Sequence, residues 1–101
     1  MPVQPAFQIA LGEAVKARRE ELGLTQEQLA NESEAQTESE RLHQRWISNV
    51  ECGERNPSYG SLRRLAVALD LTASELIARA ERIEKNRKSQ AKPGRAARSN
   101  A

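Results

Sequence analysis

The stretch Leu42-His43-Gln44-Arg45-Trp46-Ile47-Ser48-Asn49-Val50-Glu51 decides how the chain is read. Wound as a helix at about 100° per residue, it separates into two faces. Gln44, Arg45, Ser48 and Asn49 fall on one side, and Trp46, Ile47 and Val50 on the other. The polar set contains the residue types that recognise base edges. Arg bonds guanine bidentately, Gln and Asn do the same to adenine, and Ser adapts to either partner. A core helix with an ordinary solvated face would look similar in isolation. The flanking chain has to discriminate between the two.

Working outward, each side of this stretch supplies helix punctuation. Upstream, Phe7, Leu11, Ala14, Val15 and Leu22 recur at helical spacing and Gly23 closes that helix. Thr25 and Gln28 form a capping box, with Leu24 and Leu29 at the staple positions. Residues 31–40 (NESEAQTESE) hold four Glu, no Lys or Arg, and one apolar residue, Ala35. That composition suits either a prolonged second helix or a solvated acidic loop. Downstream, Gly53 ends the central helix and Ser58 caps another, striped by Leu62, Leu65, Ala66 and Leu69. A second capping box, Thr72 with Glu75, opens a fifth helix striped by Leu76, Ile77, Ala80 and Ile83, expected to fade between Lys85 and Lys88. Five helices and no strand pattern indicate an all-α bundle over residues 7–83, followed by a basic, disordered tail over 84–101.

Composition narrows the chemistry. With 101 residues, the chain is expected to be one domain with a modest core and no deep catalytic cleft. The single Cys52 and single His43 cannot assemble a usual metal-ligand set, and one cysteine forms no internal disulfide, so a cytoplasmic location is expected. A Cys52–His43 nucleophile pair has no orienting group in view. No apolar run is long enough to span a membrane. Neither an enzyme nor a cofactor is expected. The net charge of +2 conceals a split: residues 1–81 carry −4 and residues 82–101 carry +6. Bulk charge therefore says little about nucleic acid, and local placement has to carry that argument.

In order along the chain stand Leu22-Gly23-Leu24-Thr25-Gln26-Glu27-Gln28-Leu29-Ala30, then Trp46-Ile47-Ser48-Asn49-Val50-Glu51, then Gly53, Arg55-Asn56-Pro57-Ser58, and Leu62 to Leu69. This series resembles the helix-turn-helix family of the lambda-repressor and Cro type, the XRE family, over about residues 7–80. The resemblance implies a five-helix lambda-repressor-like domain in which the helix from about His43 to Glu51 enters the major groove. It implies base contacts from Gln44, Arg45, Ser48 and Asn49. Backbone contacts fall to Thr25, Gln26, His43, Arg55 and Asn56, with the free N–H groups beside Thr25 adding an anion site. Trp46 is expected at the core or its rim, and Arg18, Arg19, Arg63 and Arg64 are either solvated or near the DNA backbone. The implied function is a small transcriptional regulator, bacterial or phage-type, that binds a double-stranded operator as a homodimer. Leu76, Ile77, Ala80 and Ile83 are candidates for the dimer seam, although part of this stripe has to close the bundle core. Two departures stand out: 16 residues without glycine separate Ala30 from Ile47, and Cys52 sits where a basic or polar residue is common. The acidic segment 31–40 is a candidate surface for a protein partner. With the −4 body it supports an alternative of a different class, an adaptor or antitoxin-like module with weak or no DNA binding.

Overall fold

The computed structural model describes residues 6–32 and 42–91, with side chains through residue 87. Five helices follow in order: α1 (Ala6–Glu21), α2 (Gln26–Glu32), α3 (Gln44–Glu51), α4 (Tyr59–Ala68) and α5 (Ala73–Ala91). The all-α expectation holds, and α2, α4 and α5 begin directly after the caps expected at Thr25, Ser58 and Thr72. Residues 33–41, which include most of the acidic segment 31–40, and the tail from residue 92 lie outside the described residues.

The capping boxes form with both reciprocal bonds. Thr25 N–H donates to Gln28 Oε1 at 2.8 Å, and Gln28 N–H to Thr25 Oγ1 at 3.0 Å. Thr72 and Glu75 repeat the pattern at 2.8 and 3.0 Å. Ser58 Oγ accepts from Ser61 N–H at the start of α4. Three helices end the same way. After α1, Leu24 N–H reaches Arg19 O and Gly23 N–H reaches Glu20 O; α3 and α4 repeat this six-to-one and five-to-two pairing. The pattern needs a left-handed residue just past the helix. Gly23 and Gly53 supply it at φ 73 and 78, whereas after α4 the residue is Asp70 at φ 60. A side chain in that region strains the backbone, and an acidic one also opposes the negative end of the helix dipole. Asp70→Gly is therefore expected to stabilise the protein by about 0.5–1 kcal/mol, read as a rise of a few degrees in the thermal midpoint.

α1 packs on α5 along one side and on α3 along another, while α2 packs on α3 and α4 on α5. Leu11, Ala14 and Val15 meet Leu29, Ile47, Val50, Leu65, Leu69, Leu76 and Ala80 in one buried cluster. Arg18 donates from Nε to Leu69 O at 2.9 Å, placing a cation at the carboxyl end of α4 and tying it to α1. Arg79 and Arg87 of α5 reach Glu21 and Glu13 of α1 at 3.3 and 2.7 Å. Those pairs show that α1 and α5 run antiparallel. Arg18, and then Arg79, hold the Glu21 carboxyl below its ordinary pKa. A lowered carboxylate stabilises the fold above its unfolded pKa and loses that contribution as pH falls through the folded value.

Two expectations are corrected here. α5 does not fade at Lys85 to Lys88; it continues to Ala91. Arg87 pairing with Glu13 holds the extension against α1. Leu76 and Ala80 are fully buried within the bundle. They close the core and leave no surface for a dimer seam. Ile77 and Ile83 are half-buried against the same core.

Candidate nucleic-acid interface

α3 has eight residues, too few to hold a helix in water without tertiary support. Support comes from its apolar side. Ile47 and Val50 are fully buried, and Trp46 is half-buried against the core, as expected of a rim aromatic. Leu42, just before the cap, is 4 % exposed. Leu42 and Ile47 occupy the two positions of a hydrophobic staple, which sets the angle at which the chain enters α3. His43 is the N-cap residue, extended at φ −100 and ψ 150. Its ring makes no capping bond and stays exposed.

The opposite side is the one singled out from the sequence. Gln44 and Arg45 are exposed, and Ser48 and Asn49 are half-exposed. Among the described residues, neither Gln44 nor Arg45 has a hydrogen-bond or ion-pair partner. The amino-terminal half of α3 thus projects with its donors and acceptors unspent. The carboxyl-terminal end is covered. Arg55 and Asn56, in the turn after α3, are exposed beyond it.

That covered end holds a network that sequence reasoning missed. Arg19 of α1 grips the Glu51 carboxylate with two bonds, Nε to Oε2 at 2.7 Å and Nη2 to Oε1 at 3.0 Å. Its remaining Nη1 donates to Leu24 O at 2.8 Å. Gln26 adds a third bond to the carboxylate, Nε2 to Oε1 at 3.0 Å. The Arg19 and Glu51 side chains are 12 % and 4 % exposed. The Glu51 hydrogen bond raises the Arg19 pKa above its ordinary value against the opposing effect of burial. The pair neutralises a carboxylate at the carboxyl-terminal end of α3. Arg19 is therefore neither solvated nor free for a DNA backbone. Arg18 is likewise engaged, through Leu69 O and Glu21.

The remaining expected backbone contacts divide. Gln26 is half-buried and spends one amide hydrogen on Glu51, keeping the other. Thr25 is exposed; its N–H is used in the capping box and its Oγ1 accepts there, which leaves the O–H hydrogen to donate. The anion site expected beside Thr25 therefore consists of the N–H groups of Gln26 and Glu27 with the Thr25 O–H. Arg63 is exposed and Arg64 half-buried on α4.

Two more contacts join α1 to the end of α3. Gln8 Nε2 donates to Gly53 O at 2.8 Å. Gly12 is buried where α1 meets the last carbonyls of α3. A signal for Gly12 was present in the sequence: glycine inside a helix costs about 1 kcal/mol relative to alanine, so its presence there asks for a reason. Arg19 and Glu51 gave none, because 32 residues separate them and helices are decorated with charges everywhere.

The arrangement is thus a helix whose capped predecessor and apolar underside fix it against the bundle while its amino-terminal polar half projects. A helix-turn-helix domain family model matches residues 10–80. The chain belongs to the helix-turn-helix domain family. In that family's motif the second helix enters the DNA major groove and the first crosses the backbone; α2 and α3 are the first and second helices of the motif here. The helix-turn-helix fold is also similar to the crystal structure of the clp gene regulator ClgR from Corynebacterium glutamicum. The TM-score is 0.75 and the identity 22%, with 93% of each chain covered. At that identity the likeness is one of fold. No curated protein sequence matches the chain. Among the described residues, no group of three or more His, Cys, Asp or Glu could hold a metal ion, and no helix is long and apolar enough to cross a membrane.

Proposed function

We propose that this helix-turn-helix protein reads a specific duplex DNA site through α3 and acts as a small transcriptional regulator with no chemistry of its own. The observation that carries the reading is that Gln44 and Arg45, at the projecting end of a helix whose other side is buried, are exposed and have no partner among the described residues. Gln44, Arg45, Ser48 and Asn49 are assigned to base edges, and Arg55, Asn56, His43 and the remaining amide hydrogen of Gln26 to phosphate. Neutralisation of Glu51 by Arg19 supports the assignment, since it removes a negative charge from the approach. One such helix spans only a few base pairs, so a two-fold dimer on a near-palindromic site with half-sites about 10 base pairs apart completes the reading.

Selection from random duplexes by the purified protein tests this directly: an enriched, two-fold related sequence is expected. Failure to enrich any sequence would favour an adaptor. Within an enriched site, Arg45→Ala is expected to cost about 1–3 kcal/mol of binding and to relax the preference at one base pair, with thermal stability unchanged. Equal loss on every sequence would reassign Arg45 to phosphate.

A further inference from the structure

We infer that Gly12 is the seat that sets the pitch of α3, so that base preference depends on a residue that touches no DNA; this rests on the DNA-reading role proposed above. The observation is an atomic one. A Cβ on residue 12 would overlap the Val50 carbonyl oxygen and would lie 2.7 Å from the Glu51 carbonyl oxygen and 2.9 Å from its carbon. All three neighbours are backbone, and no rotamer change relieves them. The Val50 carbonyl is itself committed, accepting from Gly53 N–H at 3.0 Å in the turn that ends α3. Any side chain at residue 12 must therefore move the end of α3 as a body or break its cap.

The seat is one of three attachments from the same side of α1. Gln8 holds Gly53 O, Gly12 abuts Val50 and Glu51, and Arg19 grips the Glu51 carboxylate. Residues 8, 12 and 19 recur at helical spacing, forming one stripe on a 16-residue helix. All three act on residues 50–53, at the far end of α3 from Gln44 and Arg45. Those two lie roughly 8–9 Å along the helix from the seat, at about 1.5 Å per residue. A shift of about 1 Å where α1 and α3 meet tilts α3 by about 5° or more on that lever. Bidentate base contacts tolerate little such displacement. Phosphate contacts made by exposed, flexible side chains tolerate it easily. Gly12 thus bears on discrimination between sequences and not on general affinity for DNA.

The experiment compares Gly12→Ala and Gln8→Ala in the full chain, with Ala80→Gly as a control that weakens the core away from α3. Dissociation constants are measured for the selected duplex and a scrambled one, corrected for the folded fraction by circular dichroism. Gly12→Ala is expected to lower the specific-to-scrambled ratio about tenfold or more, leaving scrambled-duplex affinity and its salt slope unchanged. Gln8→Ala, which removes a bond without adding bulk, is expected to lower the ratio about threefold, and Ala80→Gly to leave it unchanged. The single Trp46, on α3 itself, gives a readout without DNA: its emission should shift in Gly12→Ala and not in Ala80→Gly. A native ratio in both α1 variants, or an equal fall in the control, overturns the inference. If Gly12→Ala does not fold, the Gln8→Ala ratio decides. If the native chain enriches no duplex, the DNA-reading proposal fails by itself, and unshifted Trp46 emission would separately remove Gly12 as the seat.

Discussion

Glu51→Ala is expected to cost about 3 kcal/mol of folding stability, a large share of the roughly 5–15 kcal/mol available to a domain of this kind. The substitution leaves the Arg19 guanidinium, 12 % exposed, with only Leu24 O as a partner, and removes the acceptor for Gln26. The penalty arises from the stranded charge more than from the lost attraction. That origin has a signature: replacing both partners together, as in Arg19→Met with Glu51→Leu, should recover most of the loss, because neither charge is then left buried. Urea unfolding measures both variants, with the midpoint moving and the slope held. A double variant as unstable as Glu51→Ala would show that geometry, and not the unpaired charge, sets the cost. The exposed pairs are a useful contrast. Arg87 with Glu13 at 2.7 Å is as short as Arg19 with Glu51, yet both its side chains are nearly half exposed. Deleting it should cost no more than about 1 kcal/mol.

Ile47→Ala should lose about 2–4 kcal/mol, enough to lower the thermal midpoint by more than about 10 °C in a domain of this size. Ile47 is fully buried and is one of two fully buried side chains on α3, the other being Val50. Removing it leaves a cavity beneath the helix and dissolves the staple with Leu42. Because eight residues cannot remain helical unaided, the loss should be concentrated in α3, and amide exchange of residues 44–51 should rise before that of α1 or α5. Calorimetry and exchange together check this. A uniform rise in exchange would mean that α3 opens only with the whole bundle. Arg45→Ala, two residues away on the other face, should do the reverse, sparing stability and reducing binding.

Much of the fold was legible because it is written in local terms. Caps at Thr25, Ser58 and Thr72 and stops at Gly23 and Gly53 involve residues within five positions of one another, and their chemistry is visible in a string. The two faces of α3 follow from helical periodicity alone, and the structure keeps Gln44 and Arg45 out and Ile47 and Val50 in. The stripe on α5 was ambiguous for a physical reason. An apolar row says only that something covers it. α1 covers Leu76 and Ala80 within the same chain, so the seam that the sequence allowed between copies is already occupied there.

The sequence by itself thus determined the number and order of the helices, their capping boxes and glycine stops, and which side chains the central helix turns outward. Those properties depend on neighbours three or four residues apart. Only the tertiary structure decided how that helix is held. Gln8, Gly12 and Arg19 meet residues 50–53 across more than 30 positions of chain. Such contacts exist only once two helices have been brought side by side, and a glycine or an arginine in a string does not say what will stand against it.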